Sequence, residues 1–156
     1  MKTSFTPTEV AQIANISYRQ IQYWDKTNFI KPSLRKHGKF RLYSVADLSS
    51  LTLARTLRDH EYSIQSLRAI IDDYKGLIPK VRGDFLNATI TVTGNILKIY
   101  TGQVLGKRSH GEIVYSLRSL EEKINDIFPP ASTSLPRSQP ADLKSYWEGK
   151  VREYTF

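Results

Sequence analysis

The sequence predicts an α+β protein in which four helices and a β-hairpin are followed by a small antiparallel sheet with one more helix. In the first half, apolar residues recur mostly at helical spacing, whereas residues 88–101 alternate with a period of two. A stretch rich in proline and serine, 129–140, has the composition of a linker. We therefore expect three parts: residues 1–75, residues 76–128, and a flexible linker with a short amphipathic segment at 129–156.

Capping sequences mark the first two helices. Thr6 with Glu9 forms an N-terminal capping signature, and Asn15, which tolerates a left-handed conformation, suits the end of the first helix. Ser17 followed by Gln20 repeats the signature, so the turn between the two helices is very short. This is the layout of a helix-turn-helix, whose second helix enters the major groove of DNA.

The second helix is predicted to present a polar surface. If Ile16 and Ile21 face the core, the side chains that project outwards are those of Arg19, Gln20, Gln22 and Tyr23.

A basic hairpin is predicted next, with a turn at His37 and Gly38 between strand segments 34–36 and 39–43. Residues 31–41 contain five basic residues and no acidic one. Residues 1–75 also carry most of the net charge of +8, with twelve lysines and arginines against seven aspartates and glutamates. A local positive field of this kind attracts a polyanion such as nucleic acid.

Two more helices are predicted before residue 80. Ser44 with Asp47 opens the third, and Ser63 opens the fourth. Gly76 and Pro79 are expected to end the fourth helix. Its apolar face would consist of Ile64, Leu67, Ile70 and Ile71.

The alternating segment predicts a hairpin with Gly94 and Asn95 as a two-residue turn. This turn pairs Thr93 with Ile96, and it also pairs Val92 with Leu97 and Ile90 with Ile99. One face then carries Ile90, Val92, Leu97 and Ile99, and the other Thr89, Thr91, Thr93, Ile96, Lys98 and Tyr100.

A third strand and a last helix complete the predicted second part. The strand is expected at 113–117. Ser119 with Glu122 would cap the helix, whose apolar residues are Leu120, Ile124 and Ile127.

The motifs of the first half resemble, in order and spacing, the DNA-binding domain of mercury-resistance-type (MerR) regulators. They read FTPTEVA (5–11), ISYRQIQYWD (16–25), FIKP (29–32), FRLYS (40–44) and DL (47–48), and the resemblance extends over about residues 4–73. It implies a winged helix-turn-helix, with the basic hairpin as the wing, in a bacterial transcription regulator that binds double-stranded DNA. An alternative is an architectural factor, similar to excisionases, that assembles on repeated sites and bends DNA.

The resemblance also implies roles for individual residues. Arg19 would contact base edges, and Arg41 would contact the DNA that flanks the recognised bases. Both roles suit a guanidinium group. Tyr23 and Trp24 would meet the DNA backbone, although Trp24 equally fits core packing. Gln22 stands where an arginine is common, and Gln20 and Gln22 could read adenine edges. The full set of expected DNA-binding residues is Ser17, Tyr18, Arg19, Gln20, Gln22, Tyr23, Arg35, Lys36, Lys39 and Arg41.

Several other function classes are disfavoured. Cysteine is absent and the three histidines are far apart, so we expect no metal site and no cofactor. Adjacent carboxylates at 72–73 and 121–122 are typical of solvated helix faces, and no catalytic arrangement is visible, so we expect no enzyme. No apolar run is long enough for a membrane helix and no export signal is visible, which favours the cytoplasm.

The departure from the family begins after residue 75. Gly76, Pro79 and Gly83 interrupt the long helix that pairs subunits in effector-responsive members. Residues 76–128 are therefore interpreted as an oligomerisation module or, alternatively, a small-ligand sensor. We expect residues 1–75 to fold alone as a monomer. The face expected to link subunits consists of Ile90, Val92, Leu97, Ile99 and Tyr115.

The final segment regains apolar residues at helical spacing. These are Leu143, Trp147, Val151 and Tyr154. They could dock on this molecule or on a protein partner.

Overall fold

The computed structural model describes residues 1–36, 40–81, 85–101 and 111–130, without the side chains of residues 35, 36 and 40. It has five helices and two small antiparallel sheets, which agrees with the α+β prediction. The first half contains β1 (Ser4–Phe5), α1 (Pro7–Ala14), α2 (Tyr18–Lys26), β2 (Leu34–Lys36), β3 (Phe40–Ser44), α3 (Val45–Asp59) and α4 (Ile64–Leu77). The second contains 3₁₀ turns at Ile78–Lys80 and Phe85–Asn87, then β4 (Ala88–Thr93), β5 (Ile96–Thr101), β6 (Ile113–Ser116) and α5 (Leu117–Ile127).

The predicted caps of the first helices are confirmed. The Thr6 hydroxyl accepts a hydrogen bond from the Glu9 backbone N–H at 3.2 Å, and the Glu9 carboxylate accepts one from the Thr6 N–H at 2.9 Å. Asn15 ends α1 in the left-handed region, with φ of 54°. Ser44 and Asp47 form the same reciprocal box at the start of α3. Each box satisfies backbone donors that a helix start would otherwise leave unpaired.

The first sheet has the order β1-β3-β2. β2 and β3 form the basic antiparallel hairpin, in which Leu34 lies opposite Leu42 and Arg35 opposite Arg41. The predicted turn at His37 and Gly38 and the following Lys39 lie outside the described residues.

The second sheet has the order β5-β4-β6, and its predicted hairpin register is confirmed. Thr93 pairs with Ile96 around a turn in which Gly94 adopts a φ of 59°, a conformation that glycine takes without steric cost. On the other side of β4, Ile90 lies opposite Tyr115 and Val92 opposite Ile113. The central strand thus places Ile90 and Val92, both fully buried, on the face that packs on the helices.

One predicted helix start and one predicted core residue are wrong, whereas the predicted end of α4 is confirmed. α4 ends at Leu77, between Gly76 and Pro79. Ile64 is the first residue of α4 and is 62% exposed, so it does not belong to the core. α5 begins at Leu117, so Ser119 and Glu122 do not cap it. Leu117 is buried together with Leu120 and Ile124, and this packing outweighs the local capping signature.

One hydrophobic core extends through both halves of the chain. α5 packs on α1 and α3, and β5 packs on α4. The Tyr115 hydroxyl is hydrogen-bonded to that of Thr52 on α3, and the Tyr62 hydroxyl donates to the Gly94 carbonyl at 2.9 Å. The domain boundary after residue 75 remains a prediction, but the segments on either side of it share this core.

The shared core corrects the subunit contact that the sequence suggested. The apolar face of Ile90, Val92, Leu97, Ile99 and Tyr115 packs within the chain, so it is not free to link subunits. On the opposite face of the hairpin, Ile96, Lys98 and Tyr100 of β5 reach solvent, whereas Thr89 and Thr91 of the central strand β4 are buried.

Candidate nucleic-acid interface

α2 separates a buried side from a solvent-facing side. Ile21 and Trp24 are buried. The Ser17 hydroxyl caps the helix by accepting a hydrogen bond from the Gln20 N–H at 3.1 Å. From the cap onwards, five predicted DNA-binding side chains are exposed, those of Ser17, Tyr18, Arg19, Gln22 and Tyr23, with Tyr18 at 48% and Tyr23 at 57%. Large exposed aromatic groups beside an arginine and a glutamine are well suited to contact the sugar-phosphate backbone and base edges.

The interpretation of Trp24 as a DNA-contacting residue is not supported by its position. Trp24 is 3% exposed and its ring meets that of Phe29 edge-on, with centroids 5.3 Å apart. The Arg68 guanidinium lies over the other aromatic ring of this pair, 4.9 Å from the Phe29 centroid. Trp24 therefore anchors α2 in the core, which agrees with the core-packing alternative.

The β2–β3 hairpin contributes Arg41, whose side chain is exposed. One of its guanidinium nitrogens donates to the Pro32 carbonyl at 3.3 Å, a contact with the residues that lead into β2. Of the other predicted hairpin residues, Arg35 and Lys36 belong to β2 by their backbone, while Lys39 lies outside the described part of the chain.

A cleft of about 810 Å³ lies between α2, the hairpin and the first residues of the chain. Tyr18, Gln22 and Arg41 all line it, so the fold brings these three predicted site residues together. Two acidic residues, Glu9 and Asp25, also line the cleft and would repel a polyanion if they were uncompensated.

Both acidic residues are paired with lysines. Lys31 Nζ lies 2.9 Å from Asp25 Oδ1, and Lys2 Nζ lies 3.3 Å from Glu9 Oε2. Although partial burial by itself raises the pKa of Glu9, hydrogen bonds with Thr6 and the charge of Lys2 outweigh it and leave that pKa lowered. The Glu9 carboxylate is thus charged at neutral pH, and the two lysines offset the negative field of the cleft.

Tyr43 lies buried beneath this cleft. Burial, helped by the nearby carboxylates of Asp25 and Asp47, raises the pKa of Tyr43 to about 12. Its hydroxyl therefore stays neutral at physiological pH, and the residue supports the hairpin without adding charge.

Sequence reasoning missed two arginines of α3 that contact the helix-turn-helix. Arg55 Nη1 donates to the Asn15 carbonyl in the turn between α1 and α2. Arg58 Nη1 donates to Gln20 Oε1 at 3.2 Å. The partners are 40 and 38 residues apart, so no local pattern reveals them.

The described segments were also searched for metal-binding groups and membrane helices. They contain no cluster of three histidine, aspartate or glutamate side chains that could hold a metal ion. None of their helices is both long and apolar enough to cross a bilayer.

Comparison with known proteins identifies the first half of the chain. Residues 5–74 match the family model described as "MerR HTH family regulatory protein". These residues form a MerR-type helix-turn-helix domain. The match includes α1, α2, the hairpin, α3 and nearly all of α4.

Curated relatives share this MerR-type domain. It is 39% identical over 64 residues to an HTH-type transcriptional regulator of Mycobacterium tuberculosis (strain ATCC 25618 / H37Rv), a match covering 39% of this chain and 28% of the relative. It is 32% identical over 63 residues to the HTH-type transcriptional regulator ZntR of Escherichia coli (strain K12), covering 40% of this chain and 45% of the relative. The matches thus span less than half of each of these relatives.

A solved structure was also found. The crystal structure of a MerR family transcriptional regulator from Bacillus cereus aligns with a TM-score of 0.41 at 15% sequence identity, over 96% of this chain and 98% of that one.

Proposed function

We propose that this chain is a sequence-specific, duplex-DNA-binding transcription regulator of the cytoplasm. α2 would act as the recognition helix, and the β2–β3 hairpin as the wing that contacts neighbouring backbone. The observation that carries the proposal is the solvent-facing side of α2, where Arg19, Gln22 and Tyr23 are exposed together in a MerR-type domain.

The proposed regulator works without metal or redox sensing. One similar protein, from Rhizobium meliloti (strain 1021), is named a heavy metal-dependent transcription regulator and is 25% identical over 63 residues. This chain contains no cysteine, so it cannot supply thiolate ligands for a soft metal or an iron–sulfur cluster. We further propose that the chain acts as a homo-oligomer, and that a different surface from the buried sheet face links its subunits.

Selection of bound sequences from a random duplex pool tests the proposal. We expect one short motif to be enriched, and a footprint of fixed length on it. Arg19→Ala should weaken binding to this motif by about 1–3 kcal/mol and relax base preference at one position in each half-site, because a bidentate base contact is lost.

Two other outcomes would change the interpretation. If Arg19→Ala weakens binding to the motif and to random duplexes equally, Arg19 contacts phosphate and not a base. A footprint that spreads with protein concentration would favour the architectural role over the regulator.

A further inference from the structure

A residue outside the recognition helix holds the side chain of Gln20. Arg58 lies in the last turn of α3, and its Nη1 donates to Gln20 Oε1 at 3.2 Å. At the other end of the residue, the Gln20 backbone N–H donates a hydrogen bond to the Ser17 hydroxyl. Gln20 is half-buried, whereas its neighbour Arg19 is exposed. Gln20 is therefore fixed at both its backbone and its amide.

The neighbouring ion pair explains why Arg58 is free to bind an amide. Asp59 is the adjacent carboxylate, and Arg55 Nε engages both of its oxygens at 3.0 and 3.1 Å. Arg55 also reaches the Asn15 carbonyl in the turn. Within the described residues, Arg58 forms no ion pair, and its side-chain partner is Gln20.

The chemistry of the two groups fixes which way the amide faces. A guanidinium only donates hydrogen bonds, so the oxygen of the Gln20 amide must face it, and the NH₂ group faces away. Reading adenine in the major groove requires both ends of an amide, because the oxygen accepts from N6 while the nitrogen donates to N7. A Gln20 amide whose oxygen faces Arg58 presents its NH₂ group to a base, so it cannot place both of its ends side by side against adenine.

We propose that Arg58 is a positioning residue that orients the Gln20 amide so that its NH₂ group faces the DNA. Gln20 then selects guanine, whose major-groove edge presents two adjacent acceptors, N7 and O6, and not adenine. This inference rests on the proposed function, because it requires α2 to lie in the major groove.

Charge reversal at Arg58 provides a direct test. In Arg58→Glu, the introduced carboxylate accepts from the Gln20 NH₂ group, which turns the amide oxygen towards the DNA. The preferred base at one position of the motif should then change from guanine to cytosine, whose N4 is a donor. Selections from the same random pool with the unmodified protein and with Arg58→Glu would measure this, and we expect a change in relative preference of about tenfold.

Two controls separate positioning from general electrostatics. In a Gln20→Ala background, Arg58→Glu should lower affinity for all sequences alike without changing base preference. Arg58→Met, which removes the guanidinium without adding a charge, should weaken the preference for guanine. Because Arg58 is exposed at the end of α3, both variants should retain the fold, and thermal melting verifies this.

The outcomes distinguish this inference from the proposed function. If the unmodified protein enriches a motif and Arg58→Glu leaves every base preference unchanged, Arg58 does not position Gln20, and the inference is overturned while the proposed function stands. If the unmodified protein enriches no motif, the proposed function fails and the inference fails with it.

Discussion

Ion pairing within the fold determines which cations remain available for DNA. Lys31, Lys2 and Arg55 are each paired with a carboxylate. In the described part of the chain, neither Arg19 nor Arg41 forms an ion pair, and both are exposed. These two arginines therefore carry uncompensated charge at the proposed interface, a distinction that the sequence alone does not make among its basic residues.

The salt dependence of binding should reveal the role of Arg41. Arg41→Ala should reduce affinity for every sequence and lower the slope of log K against log salt by about one, because one released counterion accompanies each phosphate contact. The sequence predicts the same for Lys39→Ala. Lys98→Ala is a matched control, since it removes one exposed charge from the second sheet. Unchanged slopes in both hairpin variants would mean that the hairpin faces away from DNA.

Glu61 is a strained position just after α3. Its φ is 62°, a left-handed conformation that costs a residue with a Cβ roughly 1–2 kcal/mol. Asn15 and Asn28 adopt similar angles, but asparagine tolerates them. Glu61→Gly should raise the free energy of unfolding by about 0.5–1 kcal/mol, because the relief of strain exceeds the added entropy of the unfolded chain. Urea titration measures this, and Glu61→Ala, which keeps the Cβ, should show no such gain.

Among the elements, helix starts differ in how their caps are made. The Ser44 hydroxyl accepts from the Asp47 N–H at 3.0 Å, and Asp47 Oδ2 accepts in return from the Ser44 N–H at 2.9 Å. The same oxygen accepts from the Ser33 N–H at 2.9 Å. This box therefore joins the start of α3 to the start of the hairpin. Ser116, at the same position before α5, makes no side-chain cap hydrogen bond.

Paired alanine substitutions should separate these two caps. Ser44→Ala should lower the free energy of unfolding by about 1 kcal/mol, the usual loss when a capping hydroxyl is removed. Ser116→Ala should change it by only a few tenths of a kcal/mol, because no cap bond is lost. Chemical denaturation of both variants gives the comparison. Equal losses in the two variants would show that the cap hydrogen bond of Ser44 contributes nothing measurable to stability.

The elements also show which features were predictable. The β4–β5 register followed from a two-residue turn at Gly94 and from alternation on either side of it, both of which are local signals. The start of α5 was not predictable in this way, since Leu117 belongs to the helix through its packing with distant residues. The contact between Arg58 and Gln20 depends on where the fold places the end of α3 relative to the start of α2, and nothing in the spacing of the two residues encodes it.

At the scale of the whole molecule, polar contacts join α3 both to α4 and to the second sheet. The Tyr74 hydroxyl donates to Ser49 Oγ at 2.9 Å, and that hydroxyl donates to the Ala46 carbonyl at 2.6 Å. One turn further along α3, Thr52 bonds Tyr115 of β6. Burial raises the pKa of Tyr74 and of Tyr115, so both hydroxyls remain neutral hydrogen-bonding groups at physiological pH.

Truncation after residue 75 tests how far the DNA-binding half depends on the rest. The fragment of residues 1–75 should remain monomeric and bind a half-site weakly. It should also melt at least 10 °C below the full chain, because it loses the core side chains of Ile90, Ile113 and Leu120 that cover its own apolar residues. Each such side chain contributes about 1.5–3 kcal/mol when buried. A fragment of residues 1–130, which keeps this cover, is the control and should melt like the full chain. Circular dichroism gives the melting temperatures, and sedimentation with one-site and two-site duplexes gives the assembly state. Equal melting temperatures for the two fragments would show that residues 1–75 are an independent domain, as the sequence suggested, and that the shared core contributes little to their stability.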